Sequence, residues 1–298
     1  MEVKDTCAFK LLKRALAAQK TNPMIKKFIK SNPYFYYPAK FIYLRLLNIV
    51  DMVRYVSFRM FKGSGIESYR KMQKKEYSNY TKTFDDAKNL CVGNFEVHEA
   101  YPYEEYLLQH FEGKSGVALD FACGIGRMMK RMLGHFDIVD GVDISKENLG
   151  YAETYLSGAG ISQDSYSTFL SSGVGVNGLN KTYDFIYSTI ALQHICVYEI
   201  RRKIFEDLFL ALKPGGSCCF QLGFGWDNKT HWFDNNYVSR TTNGAGDVSI
   251  PNLDHLGAIR DDFEKIGFKD IKYEFKVSPH PEHGDKYHPI WLFVHMNK

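Results

Sequence analysis

Two aspartates and the small residues between them have the types and spacing of a ligand site. A short apolar run ends in Asp120, and a turn with glycines at positions 124 and 126 follows it. A helical segment comes next, and a second apolar run ends in Asp143. A strand, a tight turn and a helix N-terminus present free backbone N–H groups to a ligand, and an acidic residue after the next strand can accept hydrogen bonds from ribose hydroxyls. The pattern therefore predicts a nucleotide-type site.

The elements that must position these residues alternate between strand and helix from residue 117 onward. Lys213-Pro214-Gly215-Gly216 marks the end of one helix and a tight turn into the next strand. Alternation of this kind predicts an α/β fold, with a mostly parallel sheet covered by helices on both faces. The predicted strands are 117–121, 137–142, 166–170, 183–188, 217–222, 268–277 and 290–296, and the predicted helices are 126–134, 146–157, 197–212 and 254–265.

The composition excludes several classes of protein. The chain has 298 residues, of which 45% are hydrophobic, and this is ample for a buried core. Its six cysteines are scattered without a C-x-x-C pair, so we expect a reduced cytoplasmic protein without disulfides or structural zinc. Lysines and an arginine interrupt the first residues, which therefore lack the pattern of a signal peptide.

The positive charge is concentrated at the beginning of the chain. Residues 1–82 contain 18 Lys and Arg against 5 Asp and Glu, whereas residues 83–298 contain 20 against 29. This asymmetry indicates that the basic part meets an anionic surface, which could be phospholipid, nucleic acid or the acidic face of its own catalytic domain. Residues 41–61 are too charged for a membrane span and predict an amphipathic helix. Its apolar stripe suits a lid or homodimer surface, and peripheral membrane contact is the alternative.

Glycines at positions 63 and 65 indicate a hinge. We therefore predict a basic amphipathic helical appendage over 1–65, a helical lid region over 66–112, with helices at 67–75 and 101–111, and a catalytic domain over 113–298. Within that domain, the long segment 223–250 between the fifth strand and the next helix is predicted to be a substrate insert.

Four segments in order resemble the class I S-adenosylmethionine-dependent methyltransferases. They are ALDFACGIGR, VDGVDIS, YDFIYSTIALQHI and LKPGGSCCFQ. The resemblance covers residues 115–298 and implies a Rossmann-like sheet of seven strands with an antiparallel last strand. It also implies S-adenosyl-L-methionine as cofactor and S-adenosyl-L-homocysteine as product. It assigns the methionine part of the cofactor to Asp120, Ala122, Cys123, Gly124 and Gly126, the ribose hydroxyls to Asp143, and the adenine to Ile144.

The chain departs from the family pattern after the third strand. Members often have an acidic residue there, near the adenine amino group, whereas this chain has Ser171 and Ser172. Hydroxyl or carbonyl oxygens are expected to take the place of that carboxylate. Ser188, at the end of the fourth strand, completes the expected cofactor site.

The binding site of the methyl acceptor is predicted to lie in the loops at the carboxyl edge of the sheet, where open α/β sheets bind ligands. His194 follows the fourth strand and is the candidate general base, although a structural role at a helix start is the alternative. The mixture of aromatic and hydrogen-bonding groups in the insert and neighbouring loops suits a polar ring such as a sugar. The expected substrate contacts are Gln193, Trp226, His231, Trp232, Tyr237, Arg240, His280, His283, His288, Tyr77 and Tyr80. The histidines and carboxylates of the 278–289 loop raise the question of a metal, but their spacing matches no standard motif, so none is expected.

Two functions remain open. The first is methylation of a polar small molecule, with O-methylation of a sugar or phosphorylated metabolite in surface-polysaccharide or specialised metabolism as the expected reaction. The second is an RNA-binding methyltransferase or a non-catalytic cofactor-binding interaction protein that uses the basic segment. The chain has no recognised RNA module and lacks the N/D-P-P-Y/F pattern of amino-directed nucleic-acid methylases, which argues against nucleic acid as a partner.

Overall fold

The computed structural model describes nine stretches of the chain. They are residues 65–78, 82–89, 102–113, 115–176, 179, 181–225, 230–237, 248–277 and 290–298. The chain divides into two compact units, Met1–Met60 and Phe61–Lys298. The predicted basic and amphipathic helices of residues 1–64 lie outside the described residues. No helix of the described stretches is both long enough and apolar enough to cross a membrane.

The described helices and strands follow the predicted alternation. The helices are α1 Gly65–Ser78, α2 Phe84–Lys88, α3 Tyr103–Leu108, α4 Arg127–Met132, α5 Lys146–Gly158, α6 Tyr198–Ala211 and α7 His255–Ile266. The strands are β1 Val117–Phe121, β2 Ile138–Asp143, β3 Thr168–Leu170, β4 Tyr183–Ser188, β5 Leu212–Phe224, β6 Thr230–His231, β7 Val248–Ile250, β8 Lys269–Val277 and β9 Ile290–Asn297.

The sheet has the order expected of a doubly wound fold. Strands β3, β2, β1, β4 and β5 lie side by side and are parallel. Strand β9 pairs antiparallel with β5 on one side and with β8 on the other. The predicted mostly parallel sheet and antiparallel last strand are confirmed. Because the strand order reverses between β1 and β4, the carboxyl ends of these two strands border the crevice in which such folds bind ligands.

Two short strands were not predicted, and both belong to the insert. Strand β4 ends opposite Phe220 of β5, but β5 continues for four more residues. Gly223 and Phe224 pair with β7, and β7 pairs with β6. The added strands satisfy backbone groups of β5 that β4 is too short to reach. They fix the described part of the insert beside the carboxyl end of β4.

The core has one apolar layer on each face of the sheet. On one face, Phe205 of α6 and Phe263 of α7 pack edge to face and join strand residues such as Phe220. On the other face, Tyr103 of α3 and Met129 of α4 pack among residues that include Phe185, Tyr187 and Phe293. Successive residues of a strand face opposite layers, so Asp120 and Tyr187 project from the same face as α3 and α4.

Candidate cofactor and acceptor site

The turn after β1 is a backbone cradle made of small residues. Ala122, Gly124 and Gly126 all have left-handed backbone conformations, with φ of 61°, 56° and 80°. A Cβ atom added at Gly124 would meet nothing within 4 Å, whereas one at Gly126 would come within 3.3 Å of Ala152 on α5. Gly126 therefore allows α4 and α5 to pack closely, and Gly124 leaves room for a ligand. The Cys123 N–H donates to the Val142 carbonyl at 3.1 Å and ties the turn to β2.

Asp143 joins the end of β2 to this cradle. Its Oδ2 accepts from the Gly124 N–H at 3.0 Å, and its Oδ1 accepts from the Ser145 N–H at 2.8 Å. Burial raises the pKa of the carboxyl group, and these backbone hydrogen bonds oppose the rise. Each carboxylate oxygen has two lone pairs, so Asp143 can still accept a hydrogen bond from a bound hydroxyl.

Asp120 is the second buried carboxylate of the site. It is 2% exposed, and its Oδ2 has no hydrogen-bond partner among the residues that the structure describes. Burial raises its pKa well above the usual range, the Arg127 guanidinium opposes this rise, and the charge of Asp143 adds to it. Tyr187 is its register partner on β4. Two buried carboxylates make this end of the crevice suited to a cationic ligand.

The loop after β3 uses the serines that were expected near the adenine. Ser171 Oγ donates to the Gly175 carbonyl at 2.8 Å, and the Ser172 carbonyl accepts from Arg70 Nη1 of α1 at 3.2 Å. The side chain of Ile144 lies against Gly173. Ile144 and the serine loop are therefore neighbours. Ser188 is fully buried and donates to the Phe121 carbonyl at 2.9 Å, so it links β4 to β1 beneath the cradle.

The loop after β4, residues 189–197, is held by three different elements. From β5, Gln221 Oε1 accepts from the Ile190 N–H at 3.0 Å. From α1, the Tyr69 hydroxyl accepts from the Cys196 N–H at 2.7 Å and donates to the His194 carbonyl at 3.3 Å. From α6, the buried Arg201 guanidinium donates to the Ile195 carbonyl and to the Trp232 carbonyl of the insert. This loop carries His194, whose side chain is half-buried.

The residues predicted to contact the substrate lie in different environments. Gln193 is 2% exposed, its Oε1 has no hydrogen-bond partner within the described ranges, and it lines a narrow gap beside Leu222, Gly223 and Trp232. Trp232 is a core residue, because its ring stacks on Phe205 and its Nε1 donates to Asp262 Oδ2 at 3.2 Å. That placement gives it a structural role.

The remaining described contacts lie near α1 or at the surface. The Tyr237 ring packs edge to face against Tyr69, and its hydroxyl donates to Glu199 at 3.2 Å. Tyr77 lies in the last turn of α1 and is half-buried. His231 is exposed. The predicted contacts outside the described residues are Tyr80, Trp226, Arg240, His280, His283 and His288. Within the described ranges, no group of His, Cys, Asp and Glu has the arrangement of a metal site.

Sequence reasoning missed four residues that shape the site. Tyr69 and Arg70 carried no signal beyond helical spacing. Gln221 and Arg201 were detectable, since each is a polar residue inside an apolar stretch, and a buried polar group needs a defined partner. Gln221 interrupts a buried strand, and Arg201 lies on the apolar face of α6.

Residues 118–216 match the protein family described as Methyltransferase domain. This part of the chain is therefore similar to methyltransferase domains. This match covers both aspartates, the cradle and the loop after β4. No curated protein matches the sequence.

Solved structures are similar to this chain at low sequence identity. Phosphoethanolamine N-methyltransferase 2 of Haemonchus contortus, in complex with phosphomonomethylethanolamine and S-adenosylhomocysteine, is 18% identical with a TM-score of 0.51. That match covers 73% of this chain and 61% of the other. The N-methyltransferase NodS of Bradyrhizobium japonicum, in complex with S-adenosylhomocysteine, is 11% identical with a TM-score of 0.48, and the match covers 68% of this chain and 87% of the other.

The residues around the cradle fit S-adenosylmethionine. The cofactor carries a sulfonium and an ammonium, and the buried carboxyl groups of Asp120 and Asp143 would be the acidic groups nearest to them. Room at Gly124 and the lone pairs of Asp143 suit the close approach of the cofactor and its ribose hydroxyls. When bound, the cofactor supplies a sulfonium methyl group that is transferred in line to a nucleophile.

Proposed function

We propose that the domain methylates an oxygen of a polar small molecule, such as a sugar or a phosphorylated metabolite. The observation that carries this proposal is the position of α1 across the carboxyl edge of the sheet. The helix contacts the segments that follow β2, β3 and β4, through Ser78 with Glu147, Arg70 with Ser172, and Tyr69 with Cys196. A site covered in this way favours an acceptor that fits inside it over a polymer that needs an open groove.

His194 is the proposed general base. Alignment of nucleophile, methyl and sulfur supplies much of the rate in such a transfer, but a hydroxyl nucleophile must also lose its proton. His194 follows β4 at the ligand-binding edge, and Tyr69 fixes its carbonyl. An imidazole held there can accept that proton while the methyl group moves. Gln193 beside it offers a buried amide oxygen as a hydrogen-bond acceptor for the substrate.

The acceptor class can be tested by measuring S-adenosylhomocysteine formation. The panel should contain sugars, nucleotide-linked sugars and phosphorylated amino alcohols, and the last of these resemble the ligand of the Haemonchus enzyme. We expect turnover with a hydroxyl compound, and a loss of at least about 100-fold in kcat for His194→Ala without weaker S-adenosylhomocysteine binding. Turnover with free amines alone, or unchanged kcat in the variant, would contradict O-directed base catalysis.

The excess of Lys and Arg in residues 1–82 favours a second candidate, an RNA-binding methyltransferase or a cofactor-binding interaction protein. Binding to RNA through phosphate contacts weakens steeply with salt. Salt-sensitive RNA binding that disappears when charges in residues 1–64 are neutralised would support this candidate. Binding to anionic vesicles without RNA binding would instead support peripheral membrane contact by the small-molecule enzyme.

A further inference from the structure

We propose that Gln221 positions the acceptor side of the site, by holding residue 190 in a left-handed conformation that fixes the loop carrying Gln193 and His194. The position of Gln221 in the sheet is the first reason. Phe220 is the last residue of β5 that pairs with β4, and its partner is Ser188. Gln221 is therefore the first residue of β5 beyond that pairing. Its side chain accepts a hydrogen bond from the backbone N–H of Ile190, just past the end of β4.

The backbone of Ile190 is the second reason. Its φ is 54°, a left-handed conformation that is a genuine outlier for a β-branched residue. Such conformations persist only where the surroundings hold them, and they cluster at functional sites. The hydrogen bond from the Ile190 N–H to Gln221 Oε1 at 3.0 Å is the direct restraint on this residue.

The other end of the Gln221 amide is the third reason. Because Oε1 must face the Ile190 N–H, the orientation of the amide is fixed and Nε2 points elsewhere. Gln221 is 0% exposed, and Nε2 has no hydrogen-bond partner among the residues described. A buried donor normally has an acceptor, which indicates that a ligand atom satisfies it. Since β5 lies beyond β4, on the side away from the cofactor strands β1 and β2, this ligand is the methyl acceptor. That last step rests on the proposed function, whereas the restraint on the loop does not.

The restraint can be tested by hydrogen exchange of residues 189–196 in the whole protein. Gln221→Met keeps the size of the side chain but has no acceptor, and exchange of these amides should accelerate about tenfold. Gln221→Glu keeps an oxygen facing Ile190 and should exchange like the wild type. Asn tolerates the left-handed conformation, so adding Ile190→Asn to Gln221→Met should restore slow exchange.

Two outcomes would overturn the positioning role. One is unchanged exchange in Gln221→Met, and the other is a double variant that remains as fast as the single one. If Gln221→Met does not fold, Ile190→Asn alone provides the test. The loop should remain protected in this variant, because Asn tolerates the left-handed conformation, and faster exchange of residues 189–196 would show that residue 190 was not strained.

Calorimetry with S-adenosylhomocysteine tests whether Gln221 Nε2 faces the methyl acceptor or the cofactor. Gln221→Met, Gln221→Glu and the double variant should each bind S-adenosylhomocysteine within about threefold of the wild type. A tenfold loss in Gln221→Glu with a protected loop would place Nε2 on the cofactor and overturn the acceptor assignment. Failure of the proposed function would look different, because the panel of acceptors would give no product while the exchange results remained as expected.

Discussion

Acidification should weaken the fold through one buried histidine of β9. His295 is 4% exposed, and its ring packs edge to face against His110 at 4.7 Å between centroids. Its Nε2 lies 3.6 Å from the Cys219 sulfur. Burial is the main cause that lowers the pKa of His295 from 6.5 to about 4; His110 and two lysines, Lys272 and Lys276, also lower it, and Glu274 opposes them.

Because the pKa of His295 is lowered in the folded protein, the fold becomes less stable as the pH falls. Below pH 6.5 the unfolded chain protonates this histidine while the folded protein keeps it neutral, so the stabilisation is complete above the unfolded pKa and is lost as the pH falls towards about 4. The lowering of the pKa corresponds to about 3 kcal/mol over the whole window, of which about 2 kcal/mol is lost between about pH 7 and about pH 5.

Urea unfolding at these two pH values should show the effect. His295→Phe keeps a ring against His110 but cannot titrate, so its free energy of unfolding should fall by about 2 kcal/mol less than that of the wild type. His135→Asn, at an exposed position, should behave like the wild type. The wild type and His295→Phe share all other carboxylates and histidines, so the difference between these two proteins isolates His295. Equal losses in wild type and His295→Phe would refute the reasoning.

Three further substitutions test the site and its supports. Asp143→Asn should weaken S-adenosylhomocysteine binding at least about tenfold in calorimetry, because the amide can no longer accept from every donor that now faces the carboxylate; unchanged affinity would remove Asp143 from the cofactor site. Tyr69→Phe should lower the free energy of unfolding by about 1–3 kcal/mol, whereas Tyr237→Phe, which loses only a surface hydrogen bond, should cost about 0.5 kcal/mol or less; equal costs would show that the Tyr69 bridge is not formed. Arg201→Met leaves two buried carbonyls without their donor and should destabilise the protein by at least about 2 kcal/mol in urea unfolding, with the half-exposed Arg202→Met as the control; similar effects would contradict the role of Arg201.

Much of the fold was predictable because the pattern that specifies it is local. The strand at 117–121 was predicted with its observed bounds, since a short apolar run, an aspartate and a glycine turn leave few alternatives. The extra strands of the insert were not predictable, because β7 forms only where β5 extends past β4, and that mismatch in length exists only in the assembled sheet.

The site, too, was predictable only where its residues lie close together in the sequence. The cradle and Asp143 lie close together in sequence, so their proximity followed from one strand–turn–helix unit. Tyr69 and Cys196 are 127 residues apart in the sequence but form a hydrogen bond, and no pattern in either segment predicts this contact. Trp232 was predicted as a substrate contact from its residue type alone, whereas its burial depends on α6 and α7 packing around it.

The place of β9 between β5 and β8 has a consequence for the order of folding. Residues 290–297 are made after every other described strand, yet they pair with Ser217–Phe224 of β5, and Leu292, Phe293 and Val294 are completely buried. Until they emerge from the ribosome, β5 presents an apolar strand with an unpaired edge, which is the kind of surface that promotes aggregation. This edge of β5 can therefore be paired only after β9 has been synthesised.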